Sequence, residues 1–178
     1  MSLKKRKYII ENVYTDGSTF NNNKQSLLSR GGYGIYWGPN DPRNKGSPFL
    51  YFPITNNRCE LFAILMAIQI FLEEKRSQSS ILNIFSDSQY SLNTITKWMY
   101  GWKKNNWKKK DGKTPENLDL IQLIDNLISG NHAKFYFHHI SAAHDYLEPT
   151  NKASQEWKHW NGNHQADKLA REGALKKI

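Results

Sequence analysis

RCELFAILMAIQIFLEEKRSQSSILNIFS, residues 58–86, is the stretch on which the fold turns. Its first part, RCELFAILMAIQIFLEEKR (58–76), is apolar on more than one helical face, which predicts a long helix buried on several sides. Asn57, with Glu60 three residues on, has the form of a capping box at its start. The last part, ILNIFS (81–86), is a short apolar run between two helical stretches. Such a strand belongs in the middle of a sheet, parallel to a neighbour, with helices covering its faces.

Toward the N-terminus, YIIENVYT (8–15) is rich in β-branched and aromatic residues and reads as a strand that ends at Asp16-Gly17-Ser18. The polar run 17–30 reads as a turn, GYGIYWG (32–38) as a second strand, and FLYFPI (49–54) as a third. Three strands in succession predict antiparallel pairing. Toward the C-terminus, residues 88–104 read helical and 105–115 do not. ENLDLIQLIDNLIS (116–129) repeats Leu and Ile at helical spacing, and KFYFHHI (134–140) is a fifth strand. Residues 141–161 form a long polar connection in which SQEWKHW can make a helical turn, and GNHQADKLAREGALKK (162–177) is a last helix. The order β-β-β-α-β-α-α-β-α gives an α/β fold: a five-stranded mixed sheet, three antiparallel strands and then two parallel ones, flanked by helices. Residues 8–178 read as one domain behind a basic arm, 1–7.

The chain has 178 residues, a net charge of +9 and an aromatic share of 13%. A basic, aromatic-rich domain points to a polyanion, and charge kept for solubility alone is the plainer alternative. Cys59 is the single cysteine, so no internal disulfide forms and a reducing compartment, cytoplasm or nucleus, is expected. Its plain reading is a small buried packing residue. No apolar run approaches the ~18 residues of a membrane span.

Open α/β sheets bind ligands beyond the carboxyl ends of their strands. Asp16 after the first strand and Asp87 after the fourth point into one crevice if those strands are parallel neighbours. Glu60 near the start of the long helix and Asp167 early in the last helix can join them. Clustered carboxylates are costly unless a cation neutralises them, and all-oxygen ligands select a hard ion, Mg²⁺ or Mn²⁺. Two such ions about 3.5–4 Å apart form the clamp used for phosphodiester hydrolysis. The same residues have a plainer reading: Asp16 as a turn residue, Glu60 as a helix cap, Asp167 as one charge on a solvated face.

YTDGS, NNRCE, FSDSQYS and GNHQADKLAREGA, in this order and spacing, resemble the four acid-bearing motifs of ribonuclease H. RGGYGIYWGPNDPRN and WMYGWKKNNWKKKDGK bring the resemblance closer to the eukaryotic-type, type 1 catalytic domain, over roughly residues 8–176. The resemblance implies the ribonuclease H-like fold and a Mg²⁺-dependent endonuclease, with Mn²⁺ as a substitute and two ions per site. It would cut the RNA strand of an RNA/DNA hybrid, leaving 5′-phosphate and 3′-hydroxyl ends. It makes Asp16, Glu60, Asp87 and Asp167 the metal ligands and His144 the mobile-loop histidine that helps proton transfer or product release.

The stretch 98–113 then resembles the family's basic protrusion, which holds the DNA strand. Trp98 and Trp102 would offer flat surfaces to sugar and base, Lys103, Lys104, Lys108, Lys109 and Lys110 would meet phosphates, and Trp107 would anchor the protrusion. Asn56, Asn57 and Asn22, with Glu60, match contacts that read the 2′-hydroxyl of the RNA strand. Thr55 and Asn117 match a DNA phosphate pocket, and Tyr90 an aromatic that packs on deoxyribose. Three departures stand out. Pro53 occupies the place of an arginine common in that pocket, SAAH replaces a tighter Pro-Gly-His loop, and only a basic arm stands where many members carry a separate hybrid-binding domain. The expected partner is the hybrid duplex, with no membrane, and the expected state a monomer. A catalytically dead binding module and an integrase- or resolvase-like nuclease are the competing readings.

Overall fold

The computed structural model describes residues 9–20, 29–74 and 80–178. The basic arm and Asn22 lie outside the described residues. Five strands form one sheet in the order β3-β2-β1-β4-β5: β1 (Ile9–Phe20), β2 (Arg30–Tyr36), β3 (Lys45–Phe49), β4 (Ser80–Ser86) and β5 (Lys134–His139). β1 runs antiparallel to β2, which is antiparallel to β3. β1 is parallel to β4, and β4 to β5. The mixed sheet expected from the element order is the sheet observed.

Helix α1 (Asn56–Glu73) buries Leu61, Ile64, Ile68 and Phe71. It needs apolar residues on several sides because it lies against β1 and β2 on one side and helix α4 (Leu118–Ser129) on the other. Leu82 and Ile84 of β4 point into this core with Ile121 and Ile124 of α4. Residues 89–104 are helical throughout: α2 (Gln89–Asn93), a π-helical turn (Thr94–Trp98) and α3 (Met99–Lys104). Helix α5 (Gln155–Leu175) covers β1, β2 and β3 on the opposite face.

Four of the boundaries that differ from the sequence reading have a local physical reason. β1 does not end at Asp16: its ladder with β2 continues to Phe20 opposite Arg30. Gly17 therefore serves a close approach and not a turn, because a Cβ there would stand 2.4 Å from the backbone nitrogen of Glu60. β3 is Lys45–Phe49 and not 49–54. Gly46 and Ser47 meet the backbone of α5, so contact with a helix, not β-propensity, makes this small, polar run a strand. Thr55, not Asn57, caps α1, its hydroxyl accepting the Arg58 N–H at 3.3 Å. The last helix begins at Gln155 under a Ser154 cap, so residues 155–161 belong to it and the connection after β5 is correspondingly shorter.

Candidate functional site

The parallel pairing of β1 with β4 sets Tyr14 opposite Phe85, so the following Asp16 and Asp87 come out at one end of the sheet. Asp16 lies within β1, opposite Gly34 of β2, and Asp87 lies between β4 and the Ser88 cap of α2. The bare Gly17 lets the first turns of α1 close against β1, which carries Glu60 to Asp16. Carboxylate oxygens of Asp16, Glu60 and Asp87 lie within 4.8 Å of one another. Asp16 and Glu60 are each 4% exposed. Burial and the Glu60 charge push the Asp16 carboxyl well above its ordinary range. Burial and Asp87 push Glu60 up to about 8. Burial raises Asp87 as well, against a hydrogen bond from Asn163 that lowers it.

One Glu60 oxygen, Oε2, is buried with no hydrogen-bond partner. A buried orphan oxygen and three carboxyls pushed upward describe a site short of positive charge. An all-oxygen donor set of this kind fits Mg²⁺ or Mn²⁺. Asp167 on α5 lines the same cleft of about 460 Å³ but stands outside the group of three, with Arg171 donating to it at 3.1 Å. The cleft is also lined by Asn56 and His144. His144 sits in a 3₁₀ turn, Ala143–Asp145, with its side chain largely exposed and its Nε2 3.3 Å from Asp145.

Asn163 escaped the sequence reading. It is 2% exposed, donates to Asp87 at 3.0 Å and accepts the Ala143 N–H at 2.7 Å. Its one signal is position: four residues before Asp167 it shares that residue's face of α5.

Beside the cleft lies an aromatic and basic surface. Asn117, in a left-handed conformation at φ 61°, donates to the Tyr90 hydroxyl at 2.8 Å. The Tyr90 ring meets Trp98 edge-on at 6.2 Å, and Trp98 meets Trp102 at the same separation. Trp98 is 43% exposed, whereas Trp102 and Trp107 pack against the core, as expected for an anchor at Trp107. Lys103 is tied to Asp125 at 2.8 Å, and Lys108 donates to Thr114 at 2.9 Å. Lys104 and Lys110 are exposed and Lys109 half-buried. Asn56 and Asn57 are exposed at the start of α1. The buried Arg58 binds Asp119 through two bonds of 2.8 Å and reaches Asn117 at 3.4 Å, behind the Thr55 cap. Cys59 is buried against Gly31, its thiol pushed up to about 12 by burial and the Glu60 charge, as suits a packing residue.

The profile of the ribonuclease H family, RNase H, matches residues 9–175. The chain belongs to the ribonuclease H family. It is 36% identical over 162 residues to ribonuclease H of Schizosaccharomyces pombe, covering 91% of this chain and 52% of that protein. It is 35% identical over 164 residues to ribonuclease H1 of Mus musculus, covering 91% of this chain and 49% of that protein. The chain thus spans about half the length of these curated relatives. The crystal structure of LC9-RNase H1, described as a type 1 RNase H with the type 2 active-site motif, superposes with a TM-score of 0.67 at 23% identity, covering 94% of this chain and 73% of that one. The sheet and its flanking helices are therefore the ribonuclease H fold. Among the described residues, no helix is long and apolar enough to cross a membrane.

Proposed function

We propose that this ribonuclease H family chain is a metal-dependent endonuclease that hydrolyses the RNA strand of RNA/DNA hybrids, leaving 5′-phosphate and 3′-hydroxyl ends. The observation that carries this reading is the group of buried Asp16 and Glu60 with half-buried Asp87, with an orphan oxygen on Glu60, at the carboxyl end of the parallel strands. Asp16, Glu60, Asp87 and Asp167 would hold two divalent cations, Mg²⁺ or Mn²⁺, which supply water activation and charge stabilisation at the departing oxygen. Burial of Asp16 and Glu60 keeps bulk water from that corner and holds their oxygens where the cations would bind. His144, exposed at the mouth of the cleft, is placed to pass a proton between the leaving oxygen and solvent.

Asn56 and Asn57 stand beside Glu60, where side-chain amides can donate to and accept from a 2′-hydroxyl. The Tyr90 and Trp98 rings, with Trp102 beside Trp98, offer aromatic surface suited to the deoxyribose of the second strand. Thr55 and Asn117 bracket a place for a DNA phosphate. With Pro53 where the family often has an arginine, Arg58 stands behind that place, bound to Asp119.

The reading is tested by incubating the protein with Mg²⁺ and end-labelled RNA/DNA, RNA/RNA and DNA/DNA duplexes. Cleavage of RNA in the hybrid alone is expected. Binding without cleavage would favour a dead binding module, and cleavage of DNA/DNA would favour an integrase-like nuclease.

A further inference from the structure

The connection between β5 and α5 is held to α5 by two hydrogen bonds at Ala143. Its N–H is held by Asn163 Oδ1 at 2.7 Å, and its carbonyl accepts from Trp160 Nε1 at 3.2 Å. Ala143 is 7% exposed, while the next side chain, His144, stands in the open. Both clamping residues come from α5, one turn apart. Each has its own restraint: Trp160 stacks on His164, ring centroids 5.2 Å apart and 6° from coplanar, and Asn163 is buried with its other end on Asp87 at 3.0 Å. The Asn163 amide has one workable orientation. Turned over, its NH₂ would face the Ala143 N–H and its oxygen the Asp87 carboxylate, losing both bonds. Farther along, Trp157 Nε1 donates to Glu148 at 2.8 Å and folds the rest of the connection onto the start of α5.

We propose that Asn163 and Trp160 are positioning residues that key the backbone at His144 to Asp87, so that the histidine stands at a fixed reach from the carboxylate group. The proposal rests on the reading of the cleft as a hydrolytic site and assigns the placement of its histidine to these two α5 side chains. Asn163 spans directly from the carboxylate to the loop. Trp160 supplies the second hold, without which the turn can rotate about the single Ala143 N–H bond.

Trp160→Phe keeps an aromatic ring beside His164 and removes the N–H donor together with the fused five-membered ring that carries it. The loss of a hydrogen bond is worth about fivefold in an equilibrium. For this variant kcat on the hybrid is expected to fall about fivefold with KM unchanged. His144→Ala is expected to cost much less in the Trp160→Phe background than in the wild type, because coupled residues are non-additive. Amide hydrogen exchange on the metal-free protein gives a readout independent of activity. Asn163→Ala and Trp160→Phe should each speed exchange at Ala143 about fivefold or more, with Leu82 and Ile84 of β4 unchanged. Additive kcat effects, or unaltered exchange at Ala143, would overturn the proposal. A wild-type protein that fails to cleave, with exchange altered as expected, would overturn the hydrolytic reading and leave the clamp supported.

Discussion

Asp16 and Glu60 enter a buried corner against their own preference for water, and their pKa values record it. Both are raised, from the ordinary 3.8 for Asp16 and from 4.5 to about 8 for Glu60, with burial as the largest cause. A folded-state pKa above the unfolded value means that the folded protein holds more protons between the two. Stability from these groups is therefore fully present below the unfolded pKa and is lost as pH rises toward and through about 8. Asp41 and Asp119 act in the opposite sense. Arg43 and Arg58 hold them below their ordinary values, and that stabilisation is lost as pH falls through the folded pKa. In chelator, the melting temperature of the wild type should fall between about pH 5 and pH 9. Glu60→Gln should flatten that fall, as thermal melts across the range would check. At this scale the four acids could be picked out in the sequence because they are charged residues at predicted element ends. Asn163 and Arg58 could not: their roles depend on partners far along the chain, Asp87 and Ala143 for one, Asp119 for the other.

Among the elements, α4 was legible from its strong helical periodicity, and α1 and β4 from the length and apolar character of their runs. β3 and the start of α5 were not. KGSPF has little strand character, and its pairing follows from α5 lying on it. Gly162-Asn163 looks like a helix start, yet Gly162 lies inside α5, bare against the Tyr14 ring, where a Cβ would fall 2.5 Å away. The same close packing makes a prediction. A Cβ at Gly34 would stand 2.1 Å from the Ala166 carbonyl oxygen, with backbone on both sides. Gly34→Ala should cost about 1–3 kcal/mol or more, as overpacking does. For a chain of this size that lowers the melting temperature by several degrees, about 2–4 °C per kcal/mol. An unchanged melt would show that α5 can move away from the sheet. The protrusion makes a second. Lys108, Lys109 and Lys110 changed together to Ala should reduce the log–log salt slope of hybrid binding by about one per lost phosphate contact, with kcat at saturating hybrid little changed. Lys103→Ala should act more on stability, since Asp125 is buried and loses its cation. Binding titrations across a salt series separate the two.

For the molecule as a whole, the sheet order, the face that each helix covers and the bare glycines serve one arrangement. Parallel β1 and β4 deliver Asp16 and Asp87 to one end, α1 closes over Gly17 with Glu60, and α5 brings Asp167 from the opposite face. The net charge of +9, beside this small negative centre, suits a polyanion drawn to the body. The central claim is that the buried carboxylates carry out the cleavage. Its most direct measurement is the rate of RNA-strand cleavage by Asp16→Asn at saturating hybrid and Mg²⁺, beside the wild type. The wild type should cut, and Asp16→Asn should bind the hybrid with similar affinity yet show no cleavage. Substantial Mg²⁺-dependent cleavage by pure Asp16→Asn would contradict it.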